Sequence, residues 1–523
     1  MKKIVCMALC LVLCIGLLYG CGGGGTTNTP APSAQPTETG TTPTTKEPEY
    51  HDTINLYIAD KVAIIDPFNP GAASSQAGIY SHLLFDTLVY YTVDGKYEPC
   101  LATEWSTEDN VHFNFKLREG VKYHNGEPFT ADDVAFTIDR AKGAQGTQIF
   151  DRLNQVESYE IVNDHEINIT LKNPNVDFIF DVSYPYVPIM NRDAYEKDPE
   201  KGGWVGTGPF KLDNLIPNDS IILLANDDYW GEKALCKKFV LRHIPEETTR
   251  LIMLENGEFT FADLPSIRVP EFENNPKYEV YSYVMDNCNY IAFNMRKPIT
   301  GDKNFRLAVA YAIDREAILD IAFDGYGKIV DSGTFWGNNT AYKNRNLPLI
   351  QQDLDKAKEY LAKSIYNGET IEIYAHLAHT IKTAEVVMAQ LRDIGINAEV
   401  RKVDGPTMAS IATFENNNCD IIVNSGAWSP LASSCKSYFT PSNSNRACYV
   451  NPEVTALIDQ AAATPDGEER QKLYYKIQEI VYEDMPYLGT IHMQLFIGAQ
   501  KGAGGAVYFP TNNHDYGRAY WLK

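Results

Sequence analysis

Apolar and polar positions alternate with a period of two over much of the first half of the chain. Ile54, Leu56 and Ile58 fall on one face of a predicted strand ending near Asp60, and Phe113, Phe115 and Leu117 alternate with Asn114 and Lys116 in another. This is the pattern of strands with one face in a core. Asn125-Gly126 marks a turn, since glycine reaches backbone angles that other residues avoid. Thr130 with Asp133 three positions on reads as a capping box with Asp in place of the usual Glu. Val134 and Ile138 give the helix that follows its inner face. Ser74 or Ser75 is expected to cap an earlier helix through Ile79, Leu83, Leu84 and Leu88. Strands at 159–162 and 167–171 flank an Asn163-Asp164 tip, two more follow at 221–224 and 238–242, and Gly257 stops a helix over 246–256.

From Tyr290 the rhythm changes. A strand at 290–295 precedes a helix over 305–319 with Ala308, Val309, Ala312 and Ile313 inward. Strands at 370–374, 398–403 and 420–423 then alternate with helices at 382–394 and 406–414. Such alternation predicts a parallel sheet covered by helices, an α/β fold. Helices at 453–463 and 468–484 follow, and Pro486 ends the second. The segments 491–496 and 507–509 look like strands without a local partner. No period of 20–50 residues recurs, which argues against a solenoid. A length of 523 residues fits two to four domains.

The N-terminus reads as an address. Met1-Lys-Lys3 carries positive charge, and the apolar run over 4–18 is short for a membrane span. Residues 18–21, Leu-Tyr-Gly-Cys, resemble a bacterial lipoprotein processing site, which implies that 1–21 is a signal peptide with its lipobox and that Cys21 carries diacylglycerol. Gly, Thr, Pro, Ser, Ala and Gln dominate 22–48, with almost no large apolar residue. That composition predicts a disordered tether over 22–50. A net charge of −22 excludes a general nucleic-acid binder, because phosphates need cationic partners. Beyond the leader, Cys100, Cys236, Cys288, Cys419, Cys435 and Cys448 form no CxxC pair and no zinc-finger spacing. Cys435 and Cys448 bracket a polar loop and are the candidate disulfide; buried or free thiols are the alternative.

Catalytic signatures are missing: the chain has no G-x-S-x-G, HExxH or P-loop motif. His376 and His379 are read as partly solvated residues at a strand end, where a spacing of three points them to opposite faces. The reading is therefore of no enzyme, no catalytic residues, no metal and no cofactor.

The run 117–136, LREGVKYHNGEPFTADDVAF, closely resembles the signature of family 5 extracellular solute-binding proteins, the dipeptide-, oligopeptide- and nickel-binding group of transporter receptors. Further landmarks follow in the family's order: GTGPFKL at 206–212, NDDYWG at 226–231, RLIMLENG at 250–257, FRLAVAYAIDR at 305–315, LRDIGI at 391–396 and MPY at 485–487. The resemblance implies a two-lobed, type II periplasmic-binding-protein fold with an extra subdomain in lobe one and a hinge between the lobes. Lobe one would comprise 50–288 plus 495–523, and lobe two 289–494, with crossings near 287–290 and 494–497. It implies a monomeric, lipid-anchored protein on the outer face of the cell membrane, holding a peptide or related small solute between its lobes. Its partners would be the permease and ATPase subunits of an ABC importer.

Peptide-binding relatives carry Gly-Trp-x-x-Asp, whose carboxylate anchors the peptide's amino terminus. Here Trp428 matches, but Leu431 stands at the Asp position, so either a different acid serves, such as Asp60 or Asp66, or the cargo is an oligosaccharide, a modified peptide or a metal chelate. The expected ligand contacts are Trp428, Asn424, Gly426, Ala427, Trp336 and Asn294. His124 and Thr207 are read as structural, and Arg306 as an ion-pairing helix residue. The rival readings are a surface receptor that signals or adheres without transport and, more remotely, a hydrolase.

Overall fold

The alternation of Ile54, Leu56 and Ile58 is used as the core face of the strand Thr53–Ile58. In the computed structural model this strand pairs in parallel with Lys238–His243, which continues antiparallel into Ser220–Ala225 and Phe210–Ile216. The model describes residues 48–72, 77–333, 335–338, 341–428, 431–511 and 513–523. The leader, Cys21, most of the tether and the Ser74 or Ser75 cap lie outside them. Residues 49–523 form one compact unit.

A second, antiparallel sheet orders Ala102–Thr107, His112–Leu117, Glu166–Leu171 and Val156–Asn163. The signature helix Ala131–Lys142 lies beside it, begun by the expected capping box: Thr130 N donates to Asp133 Oδ2 at 2.9 Å. Asp133 Oδ1 also accepts from Arg192 N at 3.0 Å, so one carboxylate holds two chain segments. Gly126 has φ +91° in the predicted turn, a conformation that a side chain would strain.

The five-stranded sheet of the other lobe runs Ala398–Lys402, Ile371–Ala375, Ile421–Ala427, Asn287–Phe293, Tyr487–Gly489. Its first three strands are parallel; Asn287–Phe293 is antiparallel to both neighbours. The two-residue period divides that strand between two cores. Ile291 and Phe293 pack with Val309, Val387 and Leu391 on one face, and Tyr290 and Ala292 pack with Trp428, Tyr438 and Tyr474 on the other.

Several expectations need correction. The helix expected over 305–319 is two helices, Lys303–Ala312 and Arg315–Ala322. Asp314 starts the second by accepting from Glu316 N and Ala317 N, because a short carboxylate satisfies the free amides of a new first turn. His379 stands in the helix Ala378–Asp393 and not at a strand end; its Nε2 lies 3.0 Å from Ser425 Oγ. Arg306 makes no ion pair among the described residues. It donates to the carbonyls of Thr300 and Asp484. Cys435 and Cys448 are free and buried: Cys435 lies within the aromatic core, and the Cys448 thiol faces the Phe414 carbonyl at 3.7 Å.

The late strands find distant partners. Gln494–Gln500 is the centre of a three-stranded sheet between Phe261–Asp263 and Tyr278–Val284. The chain thus passes between the two sheet systems twice, through Met285 and Asp286 and through Met493. Met285 N donates to Met493 O at 2.8 Å, and His492 Nδ1 lies 2.9 Å from the Asn287 carbonyl.

Two predictions follow from these contacts. Asp133→Ala removes the acceptor for two backbone amides and is expected to cost about 2–3 kcal/mol in denaturant unfolding. Burial, and then the Lys343 ammonium, push His492 down from 6.5 to about 4. Between those values the unfolded chain binds more protons, so stability falls as pH drops from 6.5 towards 4, by up to about 1.4 kcal/mol per pH unit. His124 and His379 are also pushed to about 4 by burial and add to the slope. His492→Asn should flatten, without abolishing, the measured dependence of unfolding free energy on pH in that window.

Candidate ligand-binding site

Between the two sheet systems lies a cavity of about 860 Å³, within the size of small-molecule sites. One wall comes from early segments: Tyr91 and Tyr97 of a short hairpin, Trp105, and the turn around Asp177 to Phe180. The opposite wall is built from Tyr342, Arg345, Trp428, Leu431, Asp466 and Arg470. Burial, ahead of the nearby carboxylates of Asp286 and Asp177, pushes the Tyr91 phenol up to about 12, so it is a neutral hydrogen-bonding group at physiological pH.

Trp428 follows the end of the strand Ile421–Ala427 and is fully buried. A row of aromatic side chains holds it: Trp336 stacks on it at 4.6 Å between centroids, and Phe335 and Tyr438 approach at 4.8 and 5.1 Å. Its indole Nε1 has no acceptor among the described residues. A buried donor left unpaired costs about 1–3 kcal/mol, and here that nitrogen is closed off from solvent by the packing around the ring.

The remaining candidates separate. Trp336 is fully buried behind Trp428 and supports it without lining the cavity. Asn424 turns its Oδ1 to Ser425 N, at 2.8 Å, and is not on the wall. A Cβ on Gly426 would collide with the Tyr438 hydroxyl, and that hydroxyl donates to the Ala427 carbonyl at 2.9 Å. Both residues therefore serve the packing behind Trp428. Asn294 is buried and donates to the carbonyls of Asn417 and Cys419, which corrects its reading as a ligand contact: its amide is spent on chain structure. Asp66 accepts from Phe68 N and Tyr195 Oη, and neither Asp60 nor Asp66 lines the cavity. The acids that do are Asp94, Asp177, Asp286 and Asp466. No local sequence pattern singles them out.

Asp177 joins the two walls. Its Oδ2 accepts from Ala432 N at 2.8 Å, and its Oδ1 lies 3.2 Å from Arg470 Nη2. Val176 N donates to the Ala462 carbonyl and Asn110 Nδ2 to the Ala463 carbonyl, at 3.2 and 3.3 Å. Asp177 and Arg470 are both buried. The two sheet systems are thus connected by the chain crossings and also by this latch across the cavity. Among the described residues, no three His, Cys, Asp or Glu side chains come together as a metal-holding group.

Residues 96–447 match the family described as bacterial extracellular solute-binding proteins, family 5. Among curated proteins, the chain is 28% identical over 461 residues to heme-binding protein A of Haemophilus influenzae, covering 79% of this chain and 82% of that protein. It is 25% identical over 478 residues to the nickel-binding periplasmic protein of Escherichia coli, covering 85% and 90%. Among solved structures, the ABC transporter substrate-binding protein CtaP of Listeria monocytogenes superposes with a TM-score of 0.81 at 23% identity, over 91% of this chain and all of that one. NikA from Brucella suis, in complex with Fe(III)-EDTA, superposes with a TM-score of 0.78 at 23% identity, over 90% and all. These neighbours share the two-lobed type II periplasmic-binding-protein fold. The family match and the fold agree: the chain belongs to the family 5 extracellular solute-binding proteins, the substrate-binding components of ABC importers.

Proposed function

We propose that this protein captures a peptide or a related small organic solute outside the cytoplasm and delivers it, unaltered, to the permease and ATPase subunits of its importer. The observation that carries the reading is the cavity of about 860 Å³ between the two sheet systems, walled by Tyr91, Tyr97 and Trp105 on one side and by Tyr342, Trp428 and Arg470 on the other. The named cargoes of relatives include heme, nickel and dipeptides; the aromatic lining, and a wall with no metal-holding group among the described residues, favour an organic guest here.

The proposal extends to the anchor and the lobes. Cys21 carries the lipid, residues 22–50 tether the protein as a monomer to the outer face of the membrane, and 1–21 is removed up to that cysteine. Lobe one comprises 50–288 and 495–523, and lobe two 289–494. Rotation about the crossings opens the cavity, and the Asp177–Arg470 latch closes it over the guest. Import is favoured over a receptor role by the family's partnership with ABC transporters.

Purification from the native host, denaturation and mass spectrometry of the released solute test this reading. The solute should return unaltered after incubation with the protein and raise its melting temperature, since binding the native state stabilises it; deletion of the gene should abolish its uptake. Chemical conversion of the solute, or uptake unaffected by deletion, overturns the reading. Trp428→Ala removes the large aromatic side chain from the cavity wall and should weaken binding of that solute about tenfold by calorimetry. Asp177→Ala leaves Arg470 without its buried partner in the closed form and favours opening. Cargo dissociation should accelerate at least tenfold in stopped-flow measurements, and small-angle scattering should show a larger radius of gyration with cargo present.

A further inference from the structure

The C-terminal segment around 510–516 runs beyond the cleft. Pro510 and Thr511 line the large cavity; Thr511 and Asn513 line a small cavity next to it, which shares Tyr91 and Phe180 with the cleft. Asn513, His514 and Tyr516 then line a third chamber of about 200 Å³. That chamber lies at the end of the strand Thr53–Ile58 and beside the start of the helix Ala77–Leu84, with Tyr57, Gly78 and Asp263 in its wall. The chamber shares Asn513 with the small cavity, which in turn shares Tyr91, Phe180 and Thr511 with the cleft, so the three follow one another across lobe one. The chamber's volume exceeds the roughly 150 Å³ of an engineered protein cavity that holds benzene, so it has room for a small organic head group.

The chemistry of the chamber is one-sided. Asp263 is half-buried at the end of the short strand Phe261–Asp263 and has no ion-pair partner among the described residues. Tyr57, itself buried, hydrogen-bonds to it. Arg250 stacks over the Tyr57 ring at 4.5 Å but spends its Nη1 on the carbonyls of Ile244 and Pro245. His514 is 7% exposed, and its Nδ1 has no partner among the described residues. Burial pushes this imidazole down against the pull of Asp263, so it is neutral and leaves the carboxylate uncompensated. A chamber with an unpaired carboxylate and an unpartnered ring nitrogen complements a cation with several N–H donors.

We propose that the Asp263–His514 chamber is the subsite for a protonated amino or guanidino group of the cargo, held on lobe one while the rest of the molecule occupies the aromatic cleft. This deepens the reading of the cleft as the cargo site and rests on it. It also supplies the acid that Leu431 does not provide, from the other lobe.

The test uses n-butylammonium, with 1-butanol as its uncharged counterpart, in saturation-transfer NMR on the intact protein at neutral pH. Wild-type protein should give a butylammonium signal at least threefold above that of butanol. Asp263→Asn, nearly isosteric, should lose that difference, whereas Asp355→Asn, an exposed carboxylate on the helix Leu354–Lys363, should retain it. A melting temperature within a few degrees of wild type establishes that each variant is folded. If Asp263→Asn proves unfolded, protection of the His514 ring resonances by butylammonium in the wild type decides instead. Equal signals from the two probes, or a preference that survives Asp263→Asn, overturns the subsite. Neither result touches the importer reading, which stands or falls on the released solute and its uptake.

Discussion

The two sheet systems are joined by very little chain. Two residues, Met285 and Asp286, separate Tyr278–Val284 from Asn287–Phe293, and one residue, Met493, separates Ile491–His492 from Gln494–Gln500. The crossings are bound to each other through Met285 N and Met493 O, and His492 adds a second tie at Asn287. Short connections that are hydrogen-bonded side by side resist sliding and stretching but allow a change of angle. The position of every wall of the cleft depends on that constraint, since each wall belongs to a separately packed core.

The cleft itself balances rigidity against reversibility. Trp428 is immobilised by Trp336, Phe335 and Tyr438, so in the proposed site a cargo would meet a preformed face and little side-chain entropy would be lost on binding. The two walls instead meet through a few polar contacts led by Asp177 with Arg470 and Ala432. A buried ion pair contributes little net stability because desolvation offsets attraction. Such a latch can hold the lobes in register and still release them, which suits a carrier that must surrender its guest.

Relatives named for heme, nickel and dipeptides align over most of the chain at 25–28% identity. One scaffold can serve different cargoes, because the site and not the fold decides what is bound. Leu431 illustrates this: it lines the cavity where the peptide-type pattern calls for a carboxylate. The acids of this cleft are contributed by other segments, with Asp177, Asp286 and Asp94 on early chain and Asp466 on late chain.

Much of the fold was legible because it is local. The two-residue period of Thr53–Ile58 and His112–Leu117, the Thr130–Asp133 capping box, the strand–helix alternation after Ile371 and the family landmarks all rest on neighbours a few positions apart. Trp428 follows a buried strand, as its place in the sequence indicates, and packs at the cavity wall. The reading failed where a distant partner decides a residue's role. Asn294 is committed to carbonyls more than 120 residues away, the central place of Gln494–Gln500 depends on strands more than 200 residues earlier, and Cys435 and Cys448 are held apart by the packing around each. The same holds for Asp177 and Asp263, two ordinary acids in the sequence. Local propensity and periodicity are properties of a short stretch, so the sequence by itself determined the elements, their order and the family. Which carboxylates meet across a cavity is a property of the closed chain, and only the tertiary structure decided it.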